Sequence, residues 1–228
     1  MPTVIPLSDA TRRPRHFPYV TMFIIILNAV VFIAELIGGD AFVLKWAVIP
    51  AEIAAHQHWI TLFTSMFMHA SWSHILGNMV FLWAFGPEIE DAMGPVRYSA
   101  FYILGGLAAS AAEVAFAPQS TVPNLGASGA IAAVMGAFLV TYPRDQIRSI
   151  LVIFVFARVR YIPAALLIGV WFLIQLVSVG AVAKVPQASG GVAYMAHIGG
   201  MLFGAVTARL FEDRKRVAER WADSPRMS

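Results

Sequence analysis

Six stretches of this 228-residue chain are apolar enough and long enough to be helices in a bilayer, and short clusters of arginine separate them. No other feature restricts the fold as strongly. With 59% hydrophobic and 13% charged residues, a soluble domain of this size has too little polar surface to cover its apolar side chains. The stretches are expected near 19–37, 74–86 (short, with an extension past Gly86 as the alternative), 97–117, 127–142, 162–182 and 192–211, which makes an all-α membrane protein. The first follows the basic residues 12–15 and is too long for a signal-peptide core, so it reads as a first span. The fourth is short, which fits a helix starting below the membrane surface.

Two apolar pieces do not fit this scheme. Residues 60–68, in the long loop 38–73, are too few to span and are expected to rest at the interface or to pack on the bundle. Residues 147–156 lie between Arg148 and Arg158 and are expected at the interface. The alternative joins them to the next segment as one long bent helix.

Charge sets the orientation. With six spans and the amino terminus inside, the inner segments hold fourteen of the sixteen Lys and Arg residues, and only Lys45 and Lys184 fall outside. This bias places both termini in the cytoplasm. The domain reading is a cytoplasmic segment 1–18, a membrane domain 19–211 and a basic tail 212–228. The tail is either solvated or an amphipathic helix on anionic lipid. The net charge of +3 is scattered in clusters, not gathered in a stripe, so nucleic acid is not an expected partner. With no cysteine, disulfides and thiolate metal sites are excluded.

Polar residues inside the apolar segments are few and clustered. His69, His74 and Asn78 are spaced His-x4-His-x3-Asn, and the last two share a helix face. Gly126-Ala127-Ser128-Gly129 opens the fourth helix, and Ala196-His197-Ile198-Gly199-Gly200 lies early in the sixth. Helices two, four and six run in the same direction, so these groups share one layer near the outer surface. Each alone has an ordinary structural explanation, as packing or interhelical glue. Together, at membrane depth, they mark a functional site. A zinc site is disfavoured because no acid falls between the histidines, so no metal or cofactor is expected. A transporter would spread its polar groups through both membrane halves. Gly129, Ala133 and Ala137 in the fourth helix, with Gly200 and Gly204 in the sixth, predict that these two helices pack closely.

The ordered set HASWSHILGN, GASG and AHIGG resembles the rhomboid family of intramembrane serine proteases, and the likeness runs over about residues 20–211. FGPEIEDAMG, with Glu90 and Gly94, resembles the turn after that family's second helix, and Trp171 resembles a residue of its fifth. The resemblance implies a six-transmembrane-helix rhomboid-like bundle and a serine-type endopeptidase. Ser128 would be the nucleophile and His197 the general base. Asn78, His74 and the Ser128 backbone N–H would form the oxyanion hole, with His69, Gly126 and Gly129 in support. The implied substrates are single-pass membrane proteins in the lipid bilayer, and the implied location is a prokaryotic inner membrane. The alternative is a non-catalytic rhomboid-like protein that binds membrane clients.

The chain departs from the family pattern at two places. Ala132 stands where some members carry an aromatic ring that packs on the base. Trp59 is followed by Ile60 and Thr61, where many carry a Trp-Arg pair. The orientation of His197 must then come from elsewhere, such as Tyr194. Glu35 and Glu113, near outer helix ends, could in principle orient His197, but the expectation is that they are outward-facing interfacial acids.

Overall fold

The computed structural model describes residues 3–153, 156–182 and 193–222. Lys184 and Arg226, which entered the charge count, lie outside these residues. Six long helices dominate: α1 (Tyr19–Trp46), α4 (Trp72–Met93), α5 (Pro95–Phe116), α6 (Ser128–Thr141), α7 (Ala164–Val182) and α8 (Tyr194–Phe211). Short helices α2 (Pro50–Ala54) and α3 (Thr61–Thr64) lie between the first two, and α9 (Arg214–Ala222) follows the last. By length and composition α1 and α5 suffice to cross a membrane, while α6 and the apolar part of α7 are shorter.

Helix α6 is the axis of the bundle. Residues 129–138 are all buried, and α4, α5, α7 and α8 pack around them. Small side chains allow this. A methyl group added at Gly204 would lie 1.9 Å from the Ala133 carbonyl oxygen, and one at Gly200 would lie 2.1 Å from that of Gly129. The backbones of α6 and α8 touch, as the spacing of small residues predicts. Helix α1 continues nine residues past its expected end at position 37, through a break at Gly39, whose φ of 58° suits glycine.

The expectation of an all-α fold needs correction. Strands β1 (Thr3–Asp9), β2 (Gln146–Ile153) and β3 (Phe156–Pro163) form a three-stranded antiparallel sheet in the order β1-β2-β3. The bent-helix alternative for 147–156 therefore falls. In β2, Ile147 and Ser149 are buried while Arg148 between them is exposed, the period-two alternation of a strand. Pro163 holds the residue before it in extended conformation, so α7 starts at Ala164 and not at 162.

The piece 60–68 packs on the bundle: Met66, Phe67 and Met68 are buried. In the tail, α9 docks on α4, with Arg220 buried between Glu88 and Asp91.

Candidate active site

Ser128 is the first residue of α6, and three contacts fix the chain that leads into it. The Gly126 N–H donates to the Ser65 carbonyl at 2.9 Å. Val48 and Asn124 form an antiparallel bridge, with N–H···O distances of 2.9 and 2.7 Å. The Ala51 N–H reaches the Ser120 carbonyl at 3.0 Å. The long loop is thus tied by backbone hydrogen bonds to the segment before Ser128. Trp59 takes no part in this and stacks on His56 at the surface. Gly126 has φ of 142°, and a Cβ there would sit 3.0 Å from the His74 ring, so the turn requires glycine.

His197, one turn into α8, meets Ser128 directly: Nε2 and Oγ are 2.7 Å apart. On its other side, His197 Nδ1 lies 2.8 Å from Gln175 Oε1. The Trp171 ring lies 5.4 Å from the imidazole, and the Tyr194 ring 6.5 Å, edge-on. Sequence reasoning missed Gln175, although a signal existed. It is an amide in a helix that is apolar apart from it and Ser178, one turn from Trp171 on the same face.

A cavity of about 570 Å³ opens over this pair, lined by Ser128, His197, His74, Asn78, Trp171 and Met135 among others. Ser71 caps α4 by accepting from the His74 N–H at 3.2 Å, which sets the first turn on which His74 stands. Asn78 is 7% exposed, and its side-chain Nδ2 makes no hydrogen bond among the described residues. The structure therefore brings together Ser128, His197, His74 and Asn78. His69 stands behind this group. Its ring packs edge-on against His74 at 5.0 Å and does not line the cavity. Gly129 faces α5 and α8, beside Ala109 and Ala196.

The two acids near the outer ends do not face outward, which corrects the expectation for them. Glu35 is 5% exposed and accepts the His69 backbone N–H at 2.9 and 3.1 Å with its two oxygens. Glu113 accepts the Ala196 N–H at 3.1 Å, so a side chain of α5 caps the helix that carries His197. At the far end of the bundle, Glu90 accepts from the N–H groups of Val20 and Thr21 and caps α1 in the same way. Neither Glu35 nor Glu113 is hydrogen-bonded to the His197 ring. Glu35 is buried and Glu113 half-buried because each caps a loop or helix end remote in sequence, which periodicity does not reveal.

A sequence model of the Rhomboid domain matches residues 56–214. Rhomboid protease GluP of Bacillus subtilis is 30% identical over 121 residues, 52% of this chain and 23% of its own. RHOMBOID-like protein 12, mitochondrial, of Arabidopsis thaliana is 27% identical over 215 residues, 86% of this chain and 60% of its own. Rhomboid protease GlpG of Salmonella paratyphi A is 30% identical over 138 residues, 60% of this chain and 48% of its own. The chain thus spans less than two thirds of the length of each of these relatives.

Proposed function

Since this chain belongs to the rhomboid family of membrane proteins, we propose that it is a serine endopeptidase that hydrolyses peptide bonds in or near the transmembrane segments of other membrane proteins. The observation that carries this reading is the 2.7 Å contact between Ser128 Oγ and His197 Nε2 in the wall of an open cavity. A serine hydroxyl is a weak nucleophile and needs an adjacent base at this distance.

Nε2 takes the hydroxyl proton as Oγ bonds to the substrate carbonyl carbon. The oxyanion that forms faces the Asn78 Nδ2 group, the His74 ring and the Ser128 N–H at the start of α6, where the helix dipole also favours negative charge. The imidazolium gives its proton to the departing amine nitrogen as the C–N bond breaks. Water then repeats the sequence on the acyl-enzyme: its proton goes to Nε2, its oxygen to the carbonyl carbon, and Ser128 leaves with the proton returned. A helical substrate must unwind locally first, because its carbonyls are already hydrogen-bonded. Single-pass proteins, with one helix free of a bundle, suit this requirement.

In this reading α1, α4, α5, α6, α7 and α8 are the six spans and both termini are cytoplasmic, a topology supported by the Lys and Arg distribution. Relatives from mitochondria of Arabidopsis thaliana and Saccharomyces cerevisiae match beside bacterial proteases, so the comparisons do not favour a prokaryotic inner membrane as the location.

The test is cleavage of a single-pass reporter by purified protein in liposomes. Ser128→Ala and His197→Ala are each expected to abolish cutting, and a fluorophosphonate probe is expected to label the wild type at Ser128 only. Cutting by Ser128→Ala at the wild-type rate would refute the mechanism. A folded wild type that neither cuts nor labels would make the chain a client-binding protein.

A further inference from the structure

We infer that Gln175 is a positioning residue for the reaction: it holds the His197 ring with its proton on Nδ1, so that the bare Nε2 faces Ser128 Oγ. This rests on the reading of Ser128 and His197 as nucleophile and base. It supplies the support for the imidazole that Ala132, with its methyl side chain, does not.

A neutral imidazole has one N–H and one lone-pair nitrogen, and only the second can accept the serine proton. Nδ1 must therefore carry the hydrogen, and an acceptor beside Nδ1 selects that tautomer. The acceptor present is Gln175 Oε1, at 2.8 Å. The orientation of the amide follows from its own second contact. Its Nε2 donates to the Trp171 carbonyl at 3.2 Å, so the oxygen is the atom turned toward the ring. Flipping the amide would break that bond and set N–H against N–H.

The other ionisable groups around the ring do not compete for Nδ1. From α4, His74 lines the same cavity. From α8 itself, Tyr194 approaches edge-on with centroids 6.5 Å apart. Glu113 of α5 is committed to the Ala196 N–H, and Glu35 of α1 to the His69 N–H. Helix α7 thus supplies two things from one face, a hydrogen-bond acceptor and the Trp171 ring that lies against the imidazole. Gln175 is 6% exposed. An amide in this place orients the base without burying a second charge among apolar side chains, which a carboxylate would do. When the ring takes the proton, the same hydrogen bond becomes charge-assisted and strengthens, so its benefit is greatest in the transition state.

The experiment uses the full chain in detergent micelles, with Gln175→Met (similar volume, no acceptor) and Gln175→Glu (acceptor retained). Histidine is labelled with 15N, and His197 is assigned by difference from His197→Ala. The wild type is expected to show a protonated Nδ1 and an unprotonated Nε2 at His197. The Met variant is expected to show the averaged shifts of a mixed tautomer. It should also lose about 10- to 100-fold in kcat with KM unchanged, the range for a hydrogen bond to a charged group. Gln175→Glu should recover most of that loss. Residue 175 acting only as packing between α7 and α8 would change thermal stability in the Met variant and leave the nitrogen shifts and kcat alone; that result overturns the inference. If the Met variant does not fold, Gln175→Ala takes its place. The tautomer is read without turnover. A wild type that is inert to substrate but holds Nδ1–H through Gln175 would sink the protease reading and not the contact.

Discussion

Asn78 is a buried amide whose two N–H bonds have no acceptor among the described residues, in the wall of the cavity that also holds Ser128. A donor left open beside a nucleophile is costly unless something negative comes to it. Asn78→Ala is therefore expected to lower kcat by about 10²–10³ while Ser128 still reacts with a fluorophosphonate, since the dyad is intact. Asn78→Asp, with the same shape and the wrong charge, should be slower still. Steady-state cleavage beside probe labelling separates the two effects. At this scale much of the site was legible. Ser128, His197, His74 and Asn78 stand out because polar side chains are rare in these apolar segments, and the structure gathers all four at one cavity. Gln175 was not read. One amide among apolar residues has many ordinary explanations, and what singles it out is a contact with α8, 22 positions away. Glu113 and Glu35 escaped for a similar cause, since their partners are backbone N–H groups, which no residue type advertises.

Among elements, the closest packing joins α6 and α8, and it sets the distance between nucleophile and base. Gly204 lies two turns beyond His197, with the Ala133 carbonyl where a Cβ would go. Gly204→Val must push the two helices apart along the line that fixes the Ser128–His197 contact. It is expected to lower Tm and to cut activity more than tenfold, although residue 204 touches no substrate, because an ångström of misplacement is costly in catalysis. Gly169→Ala in α7, with open space around its Cβ position, is the control and should leave both unchanged or raise Tm slightly. Thermal melts in detergent, paired with reporter cleavage, check this. The helices themselves were legible from hydropathy to within a few residues at most ends, because bilayer length and apolar runs leave little choice. The sheet was not. Ile147 to Phe156 is nearly continuous apolar sequence, which suits a buried strand or a helix equally, and the pairing with residues 3–9 spans most of the chain.

At the scale of the whole molecule, the end opposite the cavity is closed by a buried ionic cluster that joins the segment before α1 to α9. Arg12 is held bidentately by Asp145 at 2.6 and 3.1 Å and donates to the Arg220 carbonyl, while its guanidinium lies 4.1 Å from the Trp221 ring. Arg220 in turn joins Glu88 and Asp91 of α4. The charge count read these arginines only as a topological signal, because their carboxylate partners lie more than 120 residues away. Asp9 sits at the edge of this cluster, buried beside Asp145, with one oxygen accepting from the Thr11 and Arg12 N–H groups. Burial, with the Asp145 carboxylate nearby, pushes its pKa up from 3.8 to about 7. Between those two values the folded protein holds a proton that the unfolded chain has released. The contribution of Asp9 is thus fully present below about pH 4, is lost as the pH rises to about 7, and is flat above that. Asp9→Asn keeps the accepting oxygen and replaces the titrating O–H by a permanent N–H donor. The variant is expected to match the wild type below about pH 4 and to melt higher than it above about pH 7, the gap opening across the interval between. Melting curves of the two proteins in the same detergent at stepped pH measure it. A gap that is constant with pH, or that widens toward acid, would mean that Asp9 keeps its charge when folded and that the cluster is held by more ion pairs than its geometry provides.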